Sequence, residues 1–487
     1  MINNTSNYKK SQSLPCYHFV GIGGVGMGAL ASLMLAKGFP VSGSDVKENS
    51  MIHDLRTKGA RIMIGHHADH VQGADYVIFS SAIRADNPEM LRAKQAQIPV
   101  IRRAELLAEL MKDYVSITVA GAHGKTTTTS MISYLLIKAG LSPTTAVGGS
   151  IRGAAYNARL GDGRYFVAEL DESDGSFLYF HPQYAVITNV DKEHMDYYGN
   201  WGKMIEAYEQ HIRHVDPKGR IVVCADDPYL GALLKKCQTP FVTYGFSTSA
   251  DFSAVDVHSY GLRGVCERFE CLMSGEPLGL FELTVPGRHN VLNALACISM
   301  GLSLSIPLNL IREALLHYQG VKRRFQIKGE FAGITIVDDY GHHPTEIAAT
   351  LKTANHLKKE RLVTVFQPHR YTRTQLLMEE FVACLSQSEA LILTDIYAAS
   401  ESPIPGVTAQ DLCQRLIKAG RKNVSYHPRE GLGKAVMEMI QPGDMVLTLG
   451  AGDITQVSDE VLHLLNERYN AGDLSVENPI IGALQKF

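Results

Sequence analysis

The chain has 487 residues, room for roughly three domains of about 150 residues each. Charged residues make up 20% and hydrophobic residues 45%, with a formal net charge of −3, so ordinary cores can form and a nucleic-acid partner, which calls for a basic face, is not expected. The eight cysteines include no Cys-x-x-Cys pair and read as reduced, mostly buried thiols of a cytoplasmic protein, not as a disulfide frame or zinc site.

Residues 17 to 112 alternate short apolar strands with helix-like stretches. "YHFVGIG", "FPVSGSD", "ARIMIG", "DYVIFSSAI" and "IPVIRR" read as strands of a parallel sheet with helical crossovers. The uncharged run "FVGIGGVGMGALASLMLA" has the length of a spanning helix, but its glycines make half of it a poor helix. It reads better as strand, glycine turn and helix start, so no membrane insertion is expected.

A second unit opens at "VSITVAGAHGKTTTTSMISYLLIKAG", a strand, loop and helix. "RYFVAELDESD", "YAVITNVDKEH" and "GRIVVCADD" are further strand-to-loop edges. Residues 251 to 285 suggest an antiparallel meander, followed by a helix at "GRHNVLNALACISMGLSL". A third unit begins near 323, with strands in "GITIVDDYGHH", "RLVTVFQPHR", "EALILTDIY" and "DMVLTLGAGD" and a helix over 374 to 386. The expected fold is three α/β domains. They are N-terminal Rossmann-like (1–114), central P-loop ATPase-like with a mostly parallel sheet (115–322), and C-terminal Rossmann-like (323–487). All three place unusual polar residues at the carboxyl ends of strands, where open α/β sheets bind ligands.

Two glycine loops stand out. "GIGGVG" fits G-x-G-x-x-G, with Gly23, Gly24, Val25 and Gly26 at its turn, and Asp45 follows 19 residues after Gly26 at the end of the next strand. Such a loop aims backbone N–H groups at a pyrophosphate; it fits a dinucleotide such as NAD or a UDP-linked sugar. The second loop, "GAHGKTTTT", has Gly121, Gly124, Lys125, Thr126 and Thr127, but Val119 stands where the P-loop pattern has its first glycine. Lys125 suits the β- and γ-phosphates of ATP and the Thr126 hydroxyl a Mg²⁺ ion. A hydride-transfer enzyme has no use for it.

Mg²⁺ prefers oxygen ligands. "AELDESD" offers Glu169, Asp171, Glu172 and Asp174, and "NVDKEHMD" offers Asp191, Glu193, His194 and Asp196. Glu169 and His194 are favoured because they are read as lying closest to the strand exits. In the third unit "DDYGHHPTE" supplies His342 and His343, and "QPHRYTRT" supplies His369, Arg370 and Arg373, a clamp for a carboxylate or phosphate.

With these motifs, together with "ELDESDGSFL", "TNVDKEHMDYY", "RRFQIKGE" and "YAASESPIPG", the chain resembles the Mur ligase family from about residue 17 to 465. The family's phosphate loop has the shorter glycine spacing, which accounts for Val119. The resemblance implies an ATP- and Mg²⁺-dependent ligase joining L-alanine to the carboxylate of UDP-N-acetylmuramate through an acyl phosphate, in peptidoglycan precursor synthesis. By resemblance, Lys125 holds phosphates, and Thr126, Glu169 and His194 hold the metal. Asn290 or Asn293 reaches adenine, and Arg324 the ATP phosphates. Gly23, Gly24, Val25, Gly26 and Asp45 take the UDP-sugar, with His66, or its neighbour His67, at the uracil. Tyr340 and His342 lie near the reacting acid, and His369, Arg370 and Arg373 near the amino-acid carboxylate. His342, Arg370, Lys125 and His194 are the catalytic candidates. A modified lysine used by some members is not assigned: Lys203 comes too early and Glu209 occupies the plausible region.

Three other readings compete. A muropeptide-recycling ligase acts on the same sugar nucleotide, but "GIGGVGMGALA" and "DDYGHHP" favour the alanine enzyme. An NAD-dependent oxidoreductase explains "GIGGVG" and Asp45 but not the second loop. A non-catalytic nucleotide-binding regulator does not explain why Lys125, Thr126, Glu169, His194 and Arg370 are all present. The sequence fixes no oligomeric state.

Overall fold

The computed structural model describes residues 14–152, 158–235, 237–399 and 401–470. The chain forms two compact units, divided between Val321 and Lys322. The first holds two α/β sheets and the second holds one, giving three α/β domains.

The N-terminal sheet is fully parallel, in the order Arg61–Ile64, Val41–Asp45, Tyr17–Val20, Tyr76–Phe79, Val100–Arg102. Chain order reverses about Tyr17–Val20, all four residues of which are buried. The glycine loop leaves that strand, so it sits at the switch point where such sheets leave a crevice.

The central sheet has ten strands. Val115–Ala120 lies between Tyr184–Ile187 and Tyr165–Glu169, all parallel. These strands are apolar on both faces because helices cover both, so Ile117, Val119, Phe166 and Val186 are buried. Strand order thus brings the phosphate loop and the two acidic loops to one edge. Phe252–Ser259, Glu267–Met273 and Glu276–Leu283 form the expected antiparallel meander. The helix Lys125–Lys138 is buried nearly all round and packs against Arg288–Ser303. Its hydroxyls are tolerated there because they donate back to the helix: Thr129 Oγ1 to the Lys125 carbonyl (2.8 Å) and Ser133 Oγ to that of Thr129 (2.7 Å).

The second unit carries a six-stranded sheet in the order Gln326–Phe331, Ile334–Asp339, Met445–Leu449, Leu362–Phe366, Ala390–Leu393, Val424–Tyr426. The first pair is antiparallel and the rest are parallel. Three strands that end beside one another feed the loops at 340, 450 and 367.

The expected single helix over 374–386 is two helices, Tyr371–Leu376 and Met378–Leu385. Leu377, at φ −111° and ψ 26°, leaves the helical region between them. Gln326–Phe331 and Val424–Tyr426 are strands beyond those expected from sequence: the first is only half-buried and the second spans three residues, so neither shows a strong apolar period. No described helix is long and apolar enough to cross a membrane, and all eight cysteines are free thiols.

Candidate functional site

At the N-terminal loop, Gly24 caps the helix Val25–Ala36, leaving the exposed Val25 and then Gly26 in its first turn. Asp45 turns inward: its Oδ2 accepts from the Gly23 N–H at 2.8 Å. The acid that ends the second strand therefore braces the glycine loop itself. His66, just past Arg61–Ile64, directs Nδ1 to Ser44 Oγ at 3.0 Å and towards Glu89 Oε1 at 3.3 Å. His67 is exposed and caps the following turn through Asp69 N–H.

Glu89 escaped the sequence reading. Its carboxylate is fully buried and collects His18 Nε2 (3.1 Å), Ser44 Oγ (2.7 Å), His70 Nδ1 (3.0 Å) and the His67 N–H (3.2 Å). Burial alone would raise its pKa, but hydrogen bonds from His18, Ser44 and His70 and the charge of His18 outweigh it, holding the carboxyl at about 2.

In the central domain the Lys125 ammonium is bound by the carbonyls of Gly121 (2.6 Å) and Ala122 (3.0 Å) and by Glu172, 2.9 Å from Oε2. Burial opposes its charge, yet Glu172 and Glu169 more than compensate and raise its pKa. Thr126 Oγ1 donates to Glu169 Oε1 at 2.9 Å, so the pair proposed from sequence meets. Thr127 is buried behind the loop. His194 is not at a strand exit, as expected from sequence: the strand ends at Ile187, and His194 starts a short helix seven residues later. The loop nevertheless returns it to the site, with Nε2 3.6 Å from Glu172 and 3.5 Å from Glu193. Its φ of 56° shows that this return needs a left-handed backbone. Glu172, Glu193 and His194 offer ligand atoms within 4.8 Å of one another. Two carboxylates and an imidazole, beside the Thr126 hydroxyl and Glu169, make a donor set that fits a hard divalent cation. The sequence named Glu172 and Glu193 among eight candidates but could not single them out.

Asn293 and Asn290 share one face of Arg288–Ser303. Asn293 Oδ1 accepts from Thr128 Oγ1 (3.1 Å), and its amide donates to Asn290 Oδ1 (3.1 Å). Asn290 in turn donates to the Pro286 carbonyl at 2.7 Å. Asn293 thereby lies against the phosphate loop at Gly124.

In the second unit His342 and His369 stand with ring centroids 5.5 Å apart, and His369 stacks on Tyr397 at 5.6 Å. Arg373 Nη1 lies 3.2 Å from His369 Nδ1. Burial, then the charges of Arg373, Arg370 and Arg323, push His369 down to about 3. Burial likewise holds His342 well below the usual histidine range. Both rings are therefore neutral here. Arg370, with φ 69°, is the more exposed arginine, and Glu401 is 4.0 Å away. Arg324 lies over the Tyr340 ring at 5.2 Å and 3.4 Å from Glu346. Arg323, unassigned from sequence, covers the same ring at 4.9 Å and donates to the carbonyls of Gly450 (2.6 Å) and Gly452 (3.0 Å).

Fold and loop together define a three-domain α/β enzyme that uses a nucleoside triphosphate. Comparison with known proteins narrows this. Residues 16–115 match the model of the Mur ligase family catalytic domain, 119–301 that of the Mur ligase middle domain, and 323–452 that of the Mur ligase glutamate ligase domain. The chain belongs to the Mur ligase family and is an ATP-dependent, amide-bond-forming ligase. UDP-N-acetylmuramate–L-alanine ligase of Anaeromyxobacter sp. (strain Fw109-5) is 46% identical over 448 residues, spanning 92% of this chain and 97% of that protein. The enzyme of the same name from Syntrophobacter fumaroxidans is 46% identical over 458 residues, spanning 93% and 97%. The crystal structure of UDP-N-acetylmuramate-alanine ligase MurC from Thermotoga maritima superposes with a TM-score of 0.80 at 31% identity, covering 94% of this chain and 99% of that one. A murein peptide ligase from Psychrobacter arcticus shares the fold, with a TM-score of 0.71 at 23% identity over 93% and 98% of the two chains.

Proposed function

We propose that this chain joins L-alanine to the lactyl carboxylate of UDP-N-acetylmuramate at the expense of ATP, in the cytoplasm, as a step of peptidoglycan precursor synthesis. The observation that carries the chemistry is the clustering of Lys125, Thr126, Glu169, Glu172 and His194 at one edge of the central sheet. The identity of the acceptors rests on relatives that match nearly the whole chain. Residues 1–114 bind the UDP-sugar, 115–322 ATP, and 323–487 the amino acid.

The sugar carboxylate attacks the γ-phosphorus of ATP, and ADP leaves. The amine of alanine then attacks the acyl carbon of the resulting acyl phosphate, inorganic phosphate leaves with the C–O bond's electron pair, and the proton lost by the nitrogen passes to a neighbouring carboxylate or to the departing phosphate. Lys125, freed from Glu172 by the arriving phosphates, offsets charge on the transferring phosphoryl group. Thr126, Glu169 and His194, joined by Glu172 and Glu193, would hold Mg²⁺, which when bound neutralises phosphate oxygens. The backbone N–H groups from Gly121 to Thr127 cradle phosphate, Asn290 or Asn293 faces the adenine side of the loop, and Arg324 takes a phosphate oxygen. Gly23, Gly24, Val25 and Gly26 cradle the diphosphate of the sugar nucleotide, with Asp45 bracing them and His66 near the base. Arg370 and Arg373 orient the alanine carboxylate. Tyr340 and the neutral His342 lie near the reacting sugar acid, and the neutral His369 accepts a hydrogen bond beside the alanine without adding charge. The test is phosphate release by the full chain: it should require ATP, UDP-N-acetylmuramate and L-alanine together. Equal turnover with the tripeptide in place of alanine would instead support the recycling ligase.

A further inference from the structure

The buried Glu89 lies beneath the carboxyl edge of the N-terminal sheet. It is the second residue of the helix Pro88–Gln95, whose dipole favours a carboxylate in its first turn. Its hydrogen bonds decide where one proton on His66 must sit. Ser44 Oγ gives its hydrogen to Glu89 Oε2 at 2.7 Å, so towards His66 that hydroxyl can only accept. Glu89 Oε1, the other neighbour of His66 Nδ1, is also an acceptor. A neutral His66 therefore carries its hydrogen on Nδ1 and keeps a lone pair on Nε2. The Nδ1 edge faces inward, while about a fifth of the side chain (18%) remains exposed.

We propose that Glu89 is a positioning residue that fixes His66 as the Nδ1–H tautomer, so that Nε2 accepts a hydrogen bond from the base of the bound nucleotide and selects uracil over cytosine. Uracil presents N3–H, a donor, at the edge where cytosine presents a bare N3, an acceptor. A lone pair at Nε2 attracts the first and repels the second. The position suits a base. Asp45, next to Ser44, braces the glycine loop through Gly23, and Gly65 N–H donates to the Asp45 carbonyl at 2.8 Å. His66 thus follows the strand two places from the one that feeds the diphosphate cradle, on the Asp45 side, which is the side of the ribose-facing acid in dinucleotide-binding sheets. The inference rests on the proposed binding of a uridine diphosphate in this crevice.

Calorimetric titration of the full chain with UDP and with CDP tests it, at about pH 8.5, where an ordinary imidazole is neutral. UDP should bind more tightly than CDP. Glu89→Leu should weaken UDP binding and shrink the preference by roughly tenfold or more, the effect of one desolvated hydrogen bond, with KM for ATP unchanged. Glu89→Gln should also weaken the preference: with the amide oxygen held by the His67 N–H, 3.2 Å from Oε1, the amide nitrogen takes the place of Oε2, and the Ser44 hydroxyl is free to turn its hydrogen towards His66 Nδ1. An unaltered preference in Glu89→Leu overturns the inference. Should that variant not fold, nitrogen-15 shifts of His66 in the unmutated protein read the tautomer directly, and hydrogen on Nε2 overturns it equally. His66→Ala separates the two levels. If UDP affinity is unchanged, the base lies elsewhere and the reading of the crevice fails with the inference. If UDP affinity falls but Glu89→Leu keeps the preference, only the tautomer inference fails.

Discussion

A Cβ added at Gly124 would stand 2.7 Å from Oδ1 of Asn293, on the helix packed behind the phosphate loop. Asn293 is held from both sides by Thr128 and Asn290, so it has little room to yield. Gly124 also sits at φ +80°, which costs an L-residue about 1–2 kcal/mol. Gly124→Ala should therefore shift the loop and raise KM for ATP at least roughly tenfold, with the affinity for UDP-N-acetylmuramate unchanged. Steady-state kinetics with ATP varied provides the check, and an unchanged KM would remove this loop from the ATP site.

Lys125→Ala should lower kcat by roughly 100- to 1000-fold, the scale seen when a charge-stabilising donor is removed. The sugar nucleotide should still bind, because its proposed cradle is on the other sheet of the first unit. Direct titration with UDP-N-acetylmuramate measures this. A parallel loss of sugar-nucleotide affinity would sink the separate use of the two loops.

Arg373 bears on selectivity. If it grips the alanine carboxylate, Arg373→Ala should raise KM for alanine by about 2–5 kcal/mol in binding terms, the cost of removing one side of a desolvated charge pair, and leave KM for ATP nearly constant. Acyl phosphate should still form, visible as positional isotope exchange in ATP with the UDP-sugar present and alanine omitted. Lost ATP affinity with alanine KM unchanged would place Arg373 at the nucleotide instead.

His211 predicts an acid limit to stability. It is fully buried on the helix Trp201–Arg213 against Phe177, with ring centroids 5.0 Å apart. Burial, then the nearby His214, lowers it to about 3. The folded chain keeps this ring neutral, whereas the unfolded chain protonates it below about pH 6.5. Stability is thus unaffected above that pH and declines by up to about 1.4 kcal/mol per unit as pH falls from about 6.5 towards 3. Urea unfolding across this window should show a shallower decline in His211→Phe. Identical slopes for the two proteins would assign the acid sensitivity to other groups.

Sequence alone determined what depends on neighbours along the chain. "GAHGKTTTT" specified a strand, loop and helix, because a phosphate cradle is made of consecutive backbone N–H groups and one lysine. Lys125, Thr126 and the acidic loop with Glu169 were legible for that reason, and the antiparallel meander expected over 251 to 285 is present. Tertiary structure decided which distant residues meet. Glu89 lies 71 positions from His18 and 45 from Ser44, and nothing local marks it among the chain's other acids. Asp45 was legible as an acid at a strand end, but not as the brace of Gly23, which is set by the pairing of two parallel strands. Glu172 and Glu193 were visible only within acidic runs. The left-handed turn at His194 and the strand order of the central sheet converge them, and no spacing rule encodes either. Side-chain hydrogen bonds are short-ranged, so they fix a site only after long-range strand pairing has set its walls.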